Sequence, residues 1–159
     1  MPRRSVGPQA PAPTDQEGTF SGYREDTATA TAEAEAPTKA GRQVLVVDDN
    51  RDLADSLALV LRLWGHAVFV AYDGPEALEL AASHRPDVVF LDIGLPHLDG
   101  FEVARRMRAD PILRKTRIVA VTGYGREEDH RRSREVGIDV HLTKPVDPIV
   151  LQRLLLNTN

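Results

Sequence analysis

Five short runs rich in β-branched residues alternate with five stretches of helical periodicity from Gln43 onward, and that alternation leaves few architectures open. Val44-Leu45-Val46-Val47, Ala67-Val68-Phe69-Val70, Asp87 to Leu91, Arg117 to Val121 and Ile138 to Leu142 read as strands. The first is apolar throughout, as a parallel strand covered on both faces should be. Between them, Leu53, Leu57, Val60, Leu61 and Trp64 recur at helical spacing up to a stop at Gly65. Asp73-Gly74-Pro75 opens a second helix, with Ala77, Leu78 and Ala81 inside it and Pro86 behind it. Val103 and Met107 mark a third helix. A polar fourth runs from about Glu127 to Val136 with Gly137 as its stop, and Asp147-Pro148 caps the last. Strand and helix alternating in this way predict an α/β fold, a doubly wound parallel sheet with helices on both faces and right-handed crossovers.

The chemistry-bearing side chains stand where these runs end. Asp48 and Asp49 end the first, Asp92 the third, Thr122 the fourth and Lys144-Pro145 the fifth. In an open parallel sheet the carboxyl ends of the strands lie side by side and form the ligand crevice. Three carboxylates gathered there repel one another unless a cation intervenes, and Mg²⁺ suits an oxygen-only set that leaves room for water. A carboxylate that attacks phosphorus creates charge to be neutralised; a lysine ammonium and a hydroxyl donor serve that need. The plainer alternative makes the aspartates helix caps and turn residues, Thr122 a strand former and Lys144 a surface charge. Asp48 or Asn50 suits the cap of the helix starting near Arg51, but a cap does not explain an acid directly after the apolar run ending at Leu91. A cis Lys144-Pro145 bond is expected, turning the chain sharply and aiming Lys144 inward.

Residues 1–41 differ in texture, with five of the eleven prolines and much Ala, Thr and Glu, and are expected to be a disordered tail ahead of a domain over 42–159. A docking motif around Phe20-Ser21-Gly22-Tyr23 is the sharper reading of that stretch and lacks support. The net charge of -4 argues against a nucleic-acid partner. With no cysteine there are no disulfides, thiolate metal sites or cysteine nucleophiles, and a cytoplasmic setting is expected. No apolar run approaches the ~20 residues of a membrane span. The basic start Met1-Pro2-Arg3-Arg4 lacks the apolar segment of a secretory signal.

Val46-Val47-Asp48-Asp49-Asn50, Leu91-Asp92-Ile93-Gly94-Leu95-Pro96 with Asp99-Gly100, Val121-Thr122-Gly123 and Leu142-Thr143-Lys144-Pro145 together resemble the receiver domain of bacterial two-component response regulators. The resemblance covers about Gln43 to Leu156, and the combination is far more specific than any one piece. It implies a flavodoxin-like (βα)5 fold with strand order 2-1-3-4-5. It implies that Asp92 accepts a phosphoryl group from a phosphohistidine on a sensor histidine kinase or histidine phosphotransfer protein. Asp49 and Asp92 would bind Mg²⁺ directly, with the Gly94 carbonyl as a further ligand and Asp48 acting through water. Thr122 would be the switch hydroxyl, Lys144 the phosphate-binding cation, and Gly123 would leave room for the phosphoryl group. Where many receivers have Tyr or Phe three residues before the lysine, this chain has His141, a smaller and titratable ring. Tyr124 would border the site and influence phosphate lifetime.

No output domain follows the last helix, so a stand-alone receiver is expected, switching an unidentified target through its fourth helix, fifth strand and last helix. It is expected to catalyse only its own phosphorylation and dephosphorylation. A phosphorelay shuttle and a relative of hybrid-kinase receivers are the neighbouring alternatives. The competitor from another class is a Mg²⁺-dependent aspartyl-nucleophile phosphohydrolase, which wants a second acid two residues after the nucleophile, where this chain has Gly94. An inert interaction module is opposed by the intact acidic set. Arg126, Arg131, Arg132 and Arg134 are balanced by Glu127, Glu128, Asp129 and Glu135 and read as a solvated helix face. The histidines have no metal-site spacing, and Gly123 and Gly125 make no dinucleotide fingerprint.

Overall fold

The structure is a computed structural model, and it describes residues 41–123 and 125–157. The expected N-terminal tail, but for Gly41, lies outside the described residues, as does Tyr124. In chain order the elements are β1 (Gln43–Val47), α1 (Arg51–Leu63), β2 (Ala67–Ala71), α2 (Gly74–His84), β3 (Val88–Asp92), α3 (Gly100–Ala109), β4 (Arg117–Thr122), α4 (Glu127–Glu135), β5 (Val140–Thr143) and α5 (Pro148–Leu156). The strands form one parallel sheet in the order β2-β1-β3-β4-β5, the flavodoxin-like arrangement.

Successive strand residues point to opposite faces, so each strand feeds two cores. Val44, Val46, Val88, Phe90, Val119 and Val121 pack with Ala54, Ala58 and Leu61 of α1 and Leu151 and Leu155 of α5. Leu45, Val47, Val89, Leu91, Ile118 and Ala120 pack on the other face with Ala77 and Ala81 of α2 and Val103 and Met107 of α3. This two-sided burial is why the first run has no polar alternation.

Side chains set the helix starts. Asn50, Asp73, Asp99 and Asp147 each accept a backbone N–H of the first turn, from Leu53, Glu76, Glu102 and Ile149 respectively. At α4 the cap residue is Arg126 and no side-chain cap bond forms. Gly65 and Gly137 take φ of 95° and 88° just past α1 and α4, a conformation in which a Cβ is strained.

Two expectations shift. The face α1 buries is Ala54, Ala58 and Leu61, while Leu53 stays 49% exposed. The small alanines let the helix lie close to the sheet; Leu57 and Trp64 pack at the edge of the same core, and Leu53 turns to the flank. The fifth strand begins at Val140 rather than Ile138: Asp139 N–H still bonds Ile118 O, but Ile138 is spent in the α2–α3 core. Asp92 and Thr122 end their strands, as expected. No helix among the described residues is long and apolar enough to cross a membrane.

Candidate functional site

The carboxyl ends of β1, β3, β4 and β5 meet at one rim of the sheet. Asp48 prolongs β1 by donating its N–H to Ala71 O at 3.1 Å. Its Oδ1 accepts the Asn50 N–H at 2.9 Å, which turns the chain into α1. Its Oδ2 is thereby left facing inward, 2.8 Å from Lys144 Nζ. Asp92 is held likewise: Oδ1 accepts the Gly94 N–H at 3.0 Å, and Oδ2 lies 3.6 Å from the same ammonium. Asp48, Asp49 and Asp92 each offer an oxygen, all within 4.8 Å of one another; Asp48 and Asp92 are buried and Asp49 is exposed.

Burial raises the Asp92 carboxyl above its ordinary range, and the negative charge of Asp48 adds to this. The Gly94 N–H and the Lys144 ammonium oppose the rise without cancelling it. For Lys144 burial disfavours the charge, but the Asp48 hydrogen bond and the Asp92 carboxylate outweigh that, so its pKa stands above the usual lysine value. Three carboxylates against one ammonium leave the ionised pocket two charges negative. Hard oxygen donors with that deficit, one side open through exposed Asp49, fit a hydrated divalent cation such as Mg²⁺.

Thr122 is buried at the end of β4, paired in register with Thr143, while Asp92 pairs with Val121. The Lys144 N–H donates to Thr122 O at 2.7 Å, tying the lysine's backbone to the end of β4. The Lys144-Pro145 bond is cis. At Gly123 a Cβ would meet nothing within 4 Å, so the space beside Thr122 is open. Gly100 is the opposite: a Cβ there would lie 2.6 Å from Asp92 O and 2.7 Å from Ile93 Cα. Only glycine lets α3 start this close beneath the acid, with its N–H bonded to Ile93 O at 3.1 Å.

His141 shares a sheet face with Ala120 and Thr122, the face α4 covers. Its Nδ1 lies 3.0 Å from Ser133 Oγ, and its ring stacks on His130 with centroids 4.0 Å apart. Its Nε2 is buried with no hydrogen-bond partner among the described residues. Burial first, and the His130 ring second, hold the His141 pKa below 6.5 against the pull of Asp129. Sequence reasoning singled out His141 but not its two contacts on α4. His130 and Ser133 stand three apart, which puts them on one helix face, yet nothing in the sequence points that face at β5. It also passed over an apolar trough of about 500 Å³ between α1 and α5, which begins at Asp48 and Lys144 and runs along Leu53, Leu57, Val146 and Pro148. Leu57 also packs against the α1–α5 core, whereas Leu53 is half exposed there.

Residues 44–156 match the family described as response regulator receiver domain. The chain belongs to that family. An uncharacterized 14.6 kDa protein from the sodA1 3' region of Leptolyngbya boryana is 40% identical over 118 residues, 74% of this chain and 90% of that one. The response regulator PleD of Caulobacter vibrioides is 37% identical over 109 residues, 69% of this chain but only 24% of PleD, so this chain spans about a quarter of that relative. Among solved structures, the receiver domain of the sensor histidine kinase PA1611 from Pseudomonas aeruginosa superposes with a TM-score of 0.69 at 32% identity, covering 75% of this chain and 98% of that one. That structure carries a magnesium ion coordinated in its active-site cleft. The receiver domain is thus a phosphoacceptor module of two-component signalling, and its acidic pocket is of the kind that binds Mg²⁺ across the family.

Proposed function

We propose that Asp92 is the residue that takes the phosphoryl group, from a phosphohistidine on a sensor histidine kinase or histidine phosphotransfer protein. One observation carries this: Asp92 is the buried acid whose Oδ2 stands 3.6 Å from Lys144 Nζ inside the triple-aspartate pocket. An Asp92 oxygen forms the new O–P bond as the donor's P–N bond breaks, its electron pair staying on the imidazole. Lys144, already charged, meets the new phosphoryl oxygens, and Thr122 supplies a hydroxyl at the end of the neighbouring strand. The open space at Gly123 accommodates the added group. Asp49 and Asp92, the Gly94 carbonyl and, through water, Asp48 would hold Mg²⁺, which when bound neutralises charge on the phosphoryl oxygens.

The trough between α1 and α5 is the surface we assign to the donor, because it is apolar and opens onto the acids. The output surface is α4-β5-α5, with Thr122 and His141 on the face beneath α4 linking it to the pocket. Phosphate shifts the population of two states only so far as it interacts better with one of them. The proposed setting is the cytoplasm. The proposed catalysis is confined to the domain's own phosphorylation and dephosphorylation.

Incubation with a small-molecule phosphodonor and Mg²⁺ tests this. Intact mass should show a single phosphoryl adduct that chelation prevents and that Asp92→Asn abolishes. Labelling that survives Asp92→Asn, or steady turnover of a phosphoester, contradicts the reading.

A further inference from the structure

The rim of the sheet opposite the acidic pocket carries the reverse charge. Residues 110–116 connect α3 to β4, and with the first residue of β4, the residue before β5 and the C-cap of α5 they line an open depression of about 390 Å³. Its walls include Arg114, Lys115, Arg117 and Asn157. Among the described residues, no ion pair or side-chain hydrogen bond engages Arg114, Lys115 or Arg117. Arg117 is the telling member. Its backbone N–H is used, donating to Asp87 O at 3.0 Å, but its side-chain Nε is buried with no acceptor. A guanidinium N–H removed from water and left unpaired is unfavourable, and because this Nε is closed to solvent, an acceptor in the depression satisfies it only by drawing the guanidinium outward.

Arg108, also in the lining, already has its partners within the protein. Arg108 Nη1 donates to the carbonyls of Arg114 and Thr116 at 2.9 and 2.7 Å, and its Nη2 to Asp139 Oδ2 at 2.7 Å. The same Asp139 oxygen accepts the Ile118 N–H at 2.8 Å. One oxygen of the single acid in the wall is therefore engaged, and three cationic residues line a depression in the size range of small-ligand sites.

We propose that this depression binds the oligophosphate chain of a small anion. The Arg117 and Arg114 forks match phosphate oxygens in pairs, and Lys115 adds a point charge at the mouth. A chain of two or three phosphates answers three cations better than a single phosphate does. A nucleoside triphosphate and inorganic tripolyphosphate share this chemistry, and Asn157 on the wall offers the amide that would read a base. The site lies at the strand starts, away from the acids, and its occupation is independent of the Asp92 chemistry.

The test is a heteronuclear NMR titration of the full chain, without Mg²⁺, using ATP, tripolyphosphate and AMP as separate probes. The expected result is saturable shifts of the backbone amides of 114–117 and 157 with ATP and tripolyphosphate, and binding of AMP at least about tenfold weaker. Tighter binding of ATP than of tripolyphosphate identifies a nucleotide site; equal binding identifies a site for the phosphate chain alone. Arg117→Gln and Lys115→Gln should each weaken binding at least about tenfold. Lys115 is exposed, so its replacement leaves the fold intact; Arg131→Gln, on the distant α4 surface, should leave affinity unchanged. Absence of shifts in 114–117, or equal weakening by Arg131→Gln, overturns the proposal. A retained phosphoryl adduct on Asp92 in Arg117→Gln separates its failure from failure of the phosphoacceptor reading.

Discussion

Lys144 serves two acids at once. Its ammonium is 2.8 Å from Asp48 and 3.6 Å from Asp92, and both carboxylates are buried. Removing it leaves two buried acids facing each other beside Asp49, and an uncompensated buried charge costs more than the intact pair contributes. Lys144→Ala should therefore lower stability by about 1–3 kcal/mol in urea unfolding without divalent ions, a value reduced from fully buried pairs because the lysine is partly exposed. Adding Mg²⁺ should restore more stability to Lys144→Ala than it adds to the wild type; equal gains would show that the ammonium and the ion do not share these acids. His141 gives a second prediction at this scale. In the unfolded chain its ring takes up a proton near 6.5, and in the fold, desolvated and stacked on His130, it does so only at lower pH. Between those two values the unfolded state binds more protons, so stability falls as pH drops below about 6.5. His66, lowered by burial and by Arg42, contributes with the same sign. The urea midpoint should thus decrease from about pH 7.5 to about pH 5.5, and His141→Phe should shrink that decrease without abolishing it.

The two faces of the trough and the covering helix α4 behave differently as elements. α1 is anchored by Ala54, Ala58 and Leu61, and its flank residue Leu53 remains half exposed at the trough. Leu53→Asp should leave the fold nearly unchanged, yet slow phosphoryl transfer from a histidine donor at least about fivefold while sparing labelling by a small phosphodonor, since an interface anchor of this size is worth over ~1 kcal/mol. Loss of both reactions, or of neither, would remove the trough from the donor interface. α4 buries only Ser133 and starts at a cap residue that makes no side-chain bond. Its amides over 127–135 should exchange with solvent faster than those of α1, measured by hydrogen exchange. The contrast marks what the sequence made legible. Strand runs, cap residues and the acids at strand ends could be read directly, because burial on both faces and capping are local demands on residue type. The rotation of α1 could not: Ala54 and Ala58 are weak hydrophobic signals, and only the closeness of helix to sheet selects them over Leu53. The start of β5 is hidden for the same reason, since Ile138 is apolar because it packs into the α2–α3 core rather than because it lies in a strand. The stack of His130 on His141 depends on how α4 lies across β5, which no spacing encodes.

At the scale of the whole molecule, one sheet separates two cores, and β3 belongs to both through alternate residues. Phe90 faces the α1–α5 side and Leu91 the α2–α3 side. Asp92, next in line, ends the strand at the pocket, so the site is seated on the most buried strand of the fold. Neither core can open without disturbing that strand, and the two should not unfold separately. Phe90→Ala should cost about 3–5 kcal/mol and Met107→Ala, on the opposite side, about 2–5 kcal/mol. Both are large fractions of a total near 5–15 kcal/mol. In each variant the denaturant transition should remain single, with coincident far-ultraviolet and Trp64 fluorescence curves and an unchanged slope. Trp64 packs against the α1–α5 core, so Met107→Ala tests whether damage across the sheet reaches it. A fluorescence midpoint that stayed at the wild-type value in Met107→Ala while the far-ultraviolet midpoint fell would mean two independent halves. The acids at the end of β3 would then rest on one core alone.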